Sequence, residues 1–399
     1  MTESALVDVD IAGVHGKATP RFIPVVEAFA DSTVGRPGGG ALAIRVDGAP
    51  VVDVWGGSAD TGGEQSWDRD TATVVFSCTK GVVSLLVARL IQEGRIALDG
   101  RVADYWPEFA QAGKSDITVR DLLAHRGGLA ALRQDIDLDT ALDGERMSAL
   151  LAEAEPLWEP GTQWGYHALT FGWLAGELVR RVTGLSVDAY LRQLVREPLG
   201  ADFWIGVPEQ ARSRVARLVP DPHPLPVPAD PTVTAEDMRW MERTMTLGGA
   251  FPAQLVGDRV GFDDPRVQAA QIPGAGGVGT ARALASLWSA TVVSTDGVRL
   301  LDDDVTSEMS AVRSEGQPVW GGAGPFPRWG AGFMRTSEVR EFLTDRSFGH
   351  DGAGGQVAFA DPEHRVGFGY VTNLIRGGGD ERGTSIVRAL RSALSQNNL

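Results

Sequence analysis

Phe76-Ser77-Cys78-Thr79-Lys80-Gly81-Val82-Val83-Ser84-Leu85-Leu86-Val87-Ala88-Arg89-Leu90-Ile91 opens with a hydroxyl and an amine three residues apart, then runs almost wholly apolar until Gln92-Glu93-Gly94. Residues i and i+3 share one helical face, so a helix over this stretch brings the Lys80 amine to the Ser77 hydroxyl. A helix that is apolar on nearly every face is a buried one. Burial disfavours the charged ammonium and the positive end of the helix dipole acts in the same direction, so Lys80 is expected to titrate below an ordinary lysine. A neutral amine can take a serine proton, which makes Ser77 a candidate nucleophile and Lys80 its base. The plainer alternative is a capping serine with a lysine stem laid over the first turn.

Lysine is scarce elsewhere. Lys17, Lys80 and Lys114 are the only ones among 37 Lys and Arg residues. A guanidinium keeps its proton whereas a buried ammonium can lose it, so a lysine retained in an apolar segment points to chemistry. Cys78, the single cysteine, excludes an internal disulfide and a multi-thiolate metal cage. Neighbours on a helix diverge by about 100°, which turns Cys78 away from whatever Ser77 and Lys80 face and makes it a small core residue. His15, His125, His167, His223, His350 and His364 show no pair at helical ligand spacing, and neither a metal nor a cofactor is expected.

Outward from that stretch, the 399 residues allow a large core or two to three modules. Apolar residues make up 43% and charged ones 22%, as in an ordinary folded chain. A net charge of −15 argues against nucleic acid or an anionic membrane as a partner. The start, MTESALVDVDIAG, carries acids where a secretory signal has a basic region, and no apolar run approaches the roughly 18 residues that span a bilayer, so a cytoplasmic location is expected.

Residues 41–46 and 51–55 around Asp47-Gly48 read as a β-hairpin. From Phe76 to about Leu199 the pattern is helical, and it returns to strands at Gln356–Ala360 and Arg365–Thr372 before a last helix over Thr384–Leu394. Strands at both ends with helices between predict an α+β protein: an α/β domain from residues 1–75 and 310–399, and an inserted, mainly helical domain over 76–309. Residues 220–231, PDPHPLPVPADP, hold six of the 22 prolines and read as an extended loop, either a surface connection or one wall of a cleft.

Two further stretches suit the same chemistry. After the Pro160-Gly161-Thr162 turn, Tyr166 stands at a loop-to-helix junction where a phenol can point into a cleft; beside a cationic Lys80 it would lose its proton more readily. Phe348-Gly349-His350-Asp351-Gly352-Ala353-Gly354-Gly355 leads into a strand, and its glycines let backbone approach a ligand. The Ser77 and Ala353 amides would then make an oxyanion hole.

In that order Ser77-Cys78-Thr79-Lys80, Tyr166 and His350-Asp351-Gly352 resemble the serine β-lactamase and penicillin-binding-protein superfamily, especially class C enzymes and the family VIII carboxylesterases. DLLAHRGGL at 121–129, PGTQWGYHALTFGWLAGELVRRVTG at 160–184, REPLGADFW at 196–204, PGAGGVGTARALASLW at 273–288 and WGAGF at 329–333 carry the likeness over most of the chain. The resemblance implies a β-lactamase-like fold, an antiparallel sheet flanked by helices with a helical insertion, and a serine acyl-transfer enzyme. It makes Ser77 the nucleophile, Lys80 the base or proton relay and Tyr166 a second base. Tyr166-His167-Ala168 stands where class C enzymes have Tyr-Ser-Asn, and His350-Asp351-Gly352 where they have Lys-Thr-Gly, which removes an amide and a cation and adds an acid. A carboxylate-bearing lactam or peptide wants that cation. The expectation is therefore a carboxylesterase for short, uncharged small-molecule esters working through an acyl-enzyme, with His350, Gly352 and His167 lining the substrate pocket. A β-lactamase or D-amino-acid amidase/peptidase of the same fold, and a catalytically silent binding module, are the alternatives.

Overall fold

The computed structural model describes residues 5–223, 230–253, 256, 260–377 and 379–395. Nine strands form one antiparallel sheet: β1 (Val7–Ile11), β2 (Val14–Ala18), β3 (Gly39–Val46), β4 (Ala49–Gly57), β5 (Arg328–Trp329), β6 (Met334–Arg335), β7 (Phe348–Asp351), β8 (Val357–Asp361) and β9 (Val366–Thr372). Their spatial order is β1-β2-β4-β3-β9-β8-β7-β6-β5. The join between the two chain ends is the β3–β9 pair, in which Ala43 lies opposite Gly369 and Leu42 opposite Tyr370. The hairpin around Asp47-Gly48 forms as expected, with Asp47 and Gly48 both at positive φ.

Two apolar layers cover this sheet. On one face α1 (Ile23–Thr33) and a C-terminal helix (Arg382–Ser395) bury Phe29, Val387 and Leu390 against Leu42, Ile44, Phe359 and Phe368. The opposite face receives α2 (Cys78–Gln92) and α4 (Ala281–Val292), with α3 (Thr170–Thr183) packed on α2, in a larger core that includes Val83, Leu86, Leu174, Leu284, Trp288 and Phe348. Each fully buried Leu, Val or Phe here contributes about 1.5–3 kcal/mol relative to exposure. The C-terminal helix is α5 in chain order.

α4 departs from the expected partition. Residues 281–292 fall inside the stretch read as the helical insertion, yet this helix packs on β3, β8 and β9 of the sheet. It gets that close because β9 presents Gly367 and Gly369 towards it, with no side chain to hold the helix off. Part of the 220–231 segment, residues 224–229, lies outside the described residues. Among the described residues no helix is long and apolar enough to cross a membrane.

Candidate active site

α2 begins one residue after Ser77, whose backbone occupies the N-cap position while its hydroxyl makes no capping bond. The residue before it, Phe76, has φ +45°. A left-handed phenylalanine is strained by about 1–3 kcal/mol. Its buried ring, edge-on to Phe262 at 5.2 Å, holds it there. This sharp entry lifts the Ser77 hydroxyl off the helix end, and Oγ meets Lys80 Nζ at 3.0 Å and the Tyr166 hydroxyl at 2.9 Å.

Lys80 is 0% exposed. Nζ also donates to the Ala168 carbonyl at 2.6 Å and the Gly274 carbonyl at 2.7 Å. Burial lowers its pKa to about 7, against a small opposing pull from the Asp351 charge. With the amine neutral, its two N–H groups serve the two carbonyls and the lone pair is left facing Ser77 Oγ–H.

Tyr166 differs from expectation in its acidity. Its ring stacks on Trp329 at 5.2 Å and 19°, and sits 5.0 Å from His125 and 6.3 Å from His350. Burial drives the phenol pKa up and outweighs the lowering from the Ser77 bond, so the hydroxyl keeps its proton and donates it to Oγ. The expected lowering by a neighbouring cation is opposed by burial of the phenol itself, which moves its acidity in the other direction.

β7 brings His350 to the same region. Its Nδ1–H donates to the Asp351 backbone carbonyl at 2.6 Å, and a carbonyl can only accept, so Nε2 carries a lone pair. Burial lowers the imidazole pKa and keeps it neutral. Nε2 has no partner among the described residues. Asp351 corrects a second expectation: burial pushes its carboxyl up, but the Arg340 charge, with Nε 3.0 Å from Oδ2, holds it well below the usual carboxylate range. The added acid is thus balanced by an arginine and does not stand as a free negative charge.

His167 is held inside the protein and does not meet Ser77. It is buried, with Nδ1–H donating to Gly165 O at 2.6 Å and Nε2 accepting the Leu129 N–H at 3.0 Å. Both nitrogens are used inside the protein, so it cannot line a substrate pocket. Gly352 is buried too, and a Cβ there would sit 2.3 Å from Val75 O; its part is close packing against the chain that leads into Ser77. The Ala353 and Ser77 amides donate to no acceptor among the described residues. Cys78 points away as expected: its thiol donates to His350 O at 3.2 Å, and burial pushes its pKa well up.

Sequence reasoning singled out neither His125 nor Trp329 as individual residues. His125, at φ +61°, accepts the His167 N–H at Nδ1 and packs on both Tyr166 and Trp329. The signal was available in a histidine following Leu122-Leu123-Ala124, all buried.

A family model described as Beta-lactamase matches residues 26–392. The chain belongs to the β-lactamase family. Among its relatives is the esterase/beta-lactamase LipL of Mycobacterium tuberculosis, 38% identical over 381 residues that span 91% of this chain and 83% of that protein. A family VIII carboxylesterase of known structure superposes with a TM-score of 0.82 at 34% identity, covering 95% of this chain and 99% of that one. A penicillin-binding-protein homologue from Caulobacter crescentus gives 0.84 at 35% identity, with coverage of 95% and 99%. The fold is β-lactamase-like, α+β, as the resemblance implied, and the chain is a hydrolase of the esterase/β-lactamase type.

Proposed function

We propose that this chain is a serine carboxylesterase acting on short, uncharged esters, with its site in the crevice where the helical block meets the sheet. The observation that carries the reading is the placement of Ser77 Oγ between Lys80 Nζ at 3.0 Å and the Tyr166 hydroxyl at 2.9 Å, with Lys80 buried and titrating near 7. In this reading the Lys80 amine takes the Ser77 proton as Oγ attacks the ester carbonyl, and the Ser77 and Ala353 amides stabilise the oxyanion. Collapse of the tetrahedral intermediate breaks the bond to the alcohol oxygen. The departing alkoxide receives the Tyr166 proton, which the Lys80 ammonium replaces. Water then adds to the acyl-enzyme, gives a proton to the same pair, and restores Ser77 as the carboxylic acid leaves.

The choice of an ester over a carboxylate-bearing lactam is supported by charge. His350 is neutral, and the nearby Arg340 is engaged by Asp351. The esterase names carried by two close relatives agree with this choice. The β-lactamase reading has the other half of the LipL name in its favour. Turnover of short p-nitrophenyl esters by wild type and Ser77→Ala tests the proposal: the variant should fall to the uncatalysed rate. Undiminished turnover in the variant removes Ser77 from the mechanism, and hydrolysis of a chromogenic cephalosporin in preference to the esters turns the reading to a β-lactamase. A binding module without chemistry would fail to take a fluorophosphonate on Ser77.

A further inference from the structure

The turn that carries Ala353, Gly352-Ala353-Gly354-Gly355, has three glycines and so little intrinsic preference for one conformation. An oxyanion donor nevertheless has to be aimed before reaction, since a shift of about 1 Å can cost on the order of 100-fold in rate. We propose that Arg382 is a positioning residue that locks this turn and thereby aims the Ala353 N–H, an inference that rests on the Ser77 esterase reading.

Arg382, in the first turn of α5, is 6% exposed. Its Nη2 donates to Gly354 O at 2.8 Å and to Leu374 O at 2.9 Å, and Nη1 reaches Thr372 Oγ1 at 3.3 Å. Nε lies 2.9 Å from Asp380 Oδ1, and Nη2 also lies 2.6 Å from Asp380 Oδ2, so its two hydrogens are shared among this carboxylate and the two carbonyls. One planar fork therefore joins the end of β9, Leu374 just after it and the turn that carries Ala353. A buried guanidinium without such acceptors would be strongly unfavourable, so the fork enforces the carbonyl directions it meets.

The bracket on Ala353 is two-sided. Gly352 N–H donates to Gln356 O at 2.8 Å on one side, and the Gly354 carbonyl is held by Arg382 on the other. Gly355, at φ +115°, lets the guanidinium in: a Cβ there would lie 2.7 Å from Nη2 and 2.4 Å from Asp380 Oδ2. A second pair braces the same turn from below. Gly354 bridges to Arg376, whose Nε donates to Asp221 Oδ2 at 2.5 Å. With the turn held by these contacts, the Ala353 amide has no protein acceptor among the described residues.

The test assays Arg382→Lys and Arg382→Gln beside wild type and Ser77→Ala on a p-nitrophenyl ester, with sites counted by fluorophosphonate titration and Tm recorded. A phenylboronic acid, which forms a tetrahedral adduct on a serine oxygen, reports the oxyanion site independently of turnover. Per titrated site, kcat should fall by about 10- to 100-fold with KM within about threefold, and the boronate Ki should rise by the factor that kcat/KM falls. Lysine keeps the charge but lacks the fork, so it should restore only part of the loss. Unchanged kcat per site and unchanged boronate affinity in both variants, whatever happens to Tm, overturn the inference. Should Arg382→Gln not fold, Asp380→Asn, which loosens the fork from its other side, is expected to show the same pattern at smaller size, and wild-type values there count equally against it. Wild type without Ser77-dependent turnover sinks the esterase reading; Ser77-dependent wild type with unaffected Arg382 variants sinks this inference alone.

Discussion

Lys80 Nζ has three oxygens within reach, the carbonyls of Ala168 and Gly274 and the hydroxyl of Ser77, and either protonation state of the amine can bond all three. Burial decides between them, because two neutral carbonyls and a hydroxyl compensate an ammonium far less than water does. The same burial acts in the opposite sense on Tyr166, keeping its proton on. Removing the phenol with Tyr166→Phe is therefore expected to lower kcat by about 100-fold through the lost proton donor, while the acid limb of the pH–rate profile stays near 7, where Lys80 titrates. Steady-state profiles of the two proteins check this, and a limb that moves with the tyrosine would assign the titration to the phenol. The meeting of Ser77 with a buried Lys80 was legible because helical spacing and an apolar surround are written in the sequence itself. The acidity of Tyr166 was not, since it depends on Trp329 and His125, which reach it only through the fold.

The helix Cys78–Gln92 shows how far periodicity reaches. Its apolar run predicted burial on all sides, its end at Glu93-Gly94 was marked by glycine, and the divergence of adjacent side chains separated Cys78 from Ser77. That separation predicts that the Cys78 thiol stays unlabelled by a thiol-reactive disulfide reagent at neutral pH and reacts within the mixing time once denaturant unfolds the chain, read as released chromophore. Rapid labelling of the folded protein would place the thiol in the crevice. The irregular segment before α3 has no such period. Tyr166 and His167 are adjacent there, and nothing in their spacing says that one side chain meets Ser77 while the other bonds Gly165 and Leu129.

At the scale of the molecule, a sheet built from both chain ends was legible in the hairpin around Asp47-Gly48 and in the strands near residues 357 and 366. The place of α4 was not, because its reason lies some 80 residues away in glycines that alternate along β9 and leave room for a helix. The result is a candidate site assembled from α2, the entry to α3, the loop that carries Gly274 and the end of β7. No one segment holds the chemistry. In the proposed mechanism all of them converge on a lysine that is uncharged where it meets the serine. The most direct measurement of that state is the rate constant for labelling Ser77 with an uncharged fluorophosphonate as a function of pH, followed by intact mass. The rate should climb about tenfold per pH unit on the acid side and level off above a midpoint near 7, as the Lys80 amine loses its proton. A rate independent of pH, or a midpoint near that of an ordinary lysine, would contradict it.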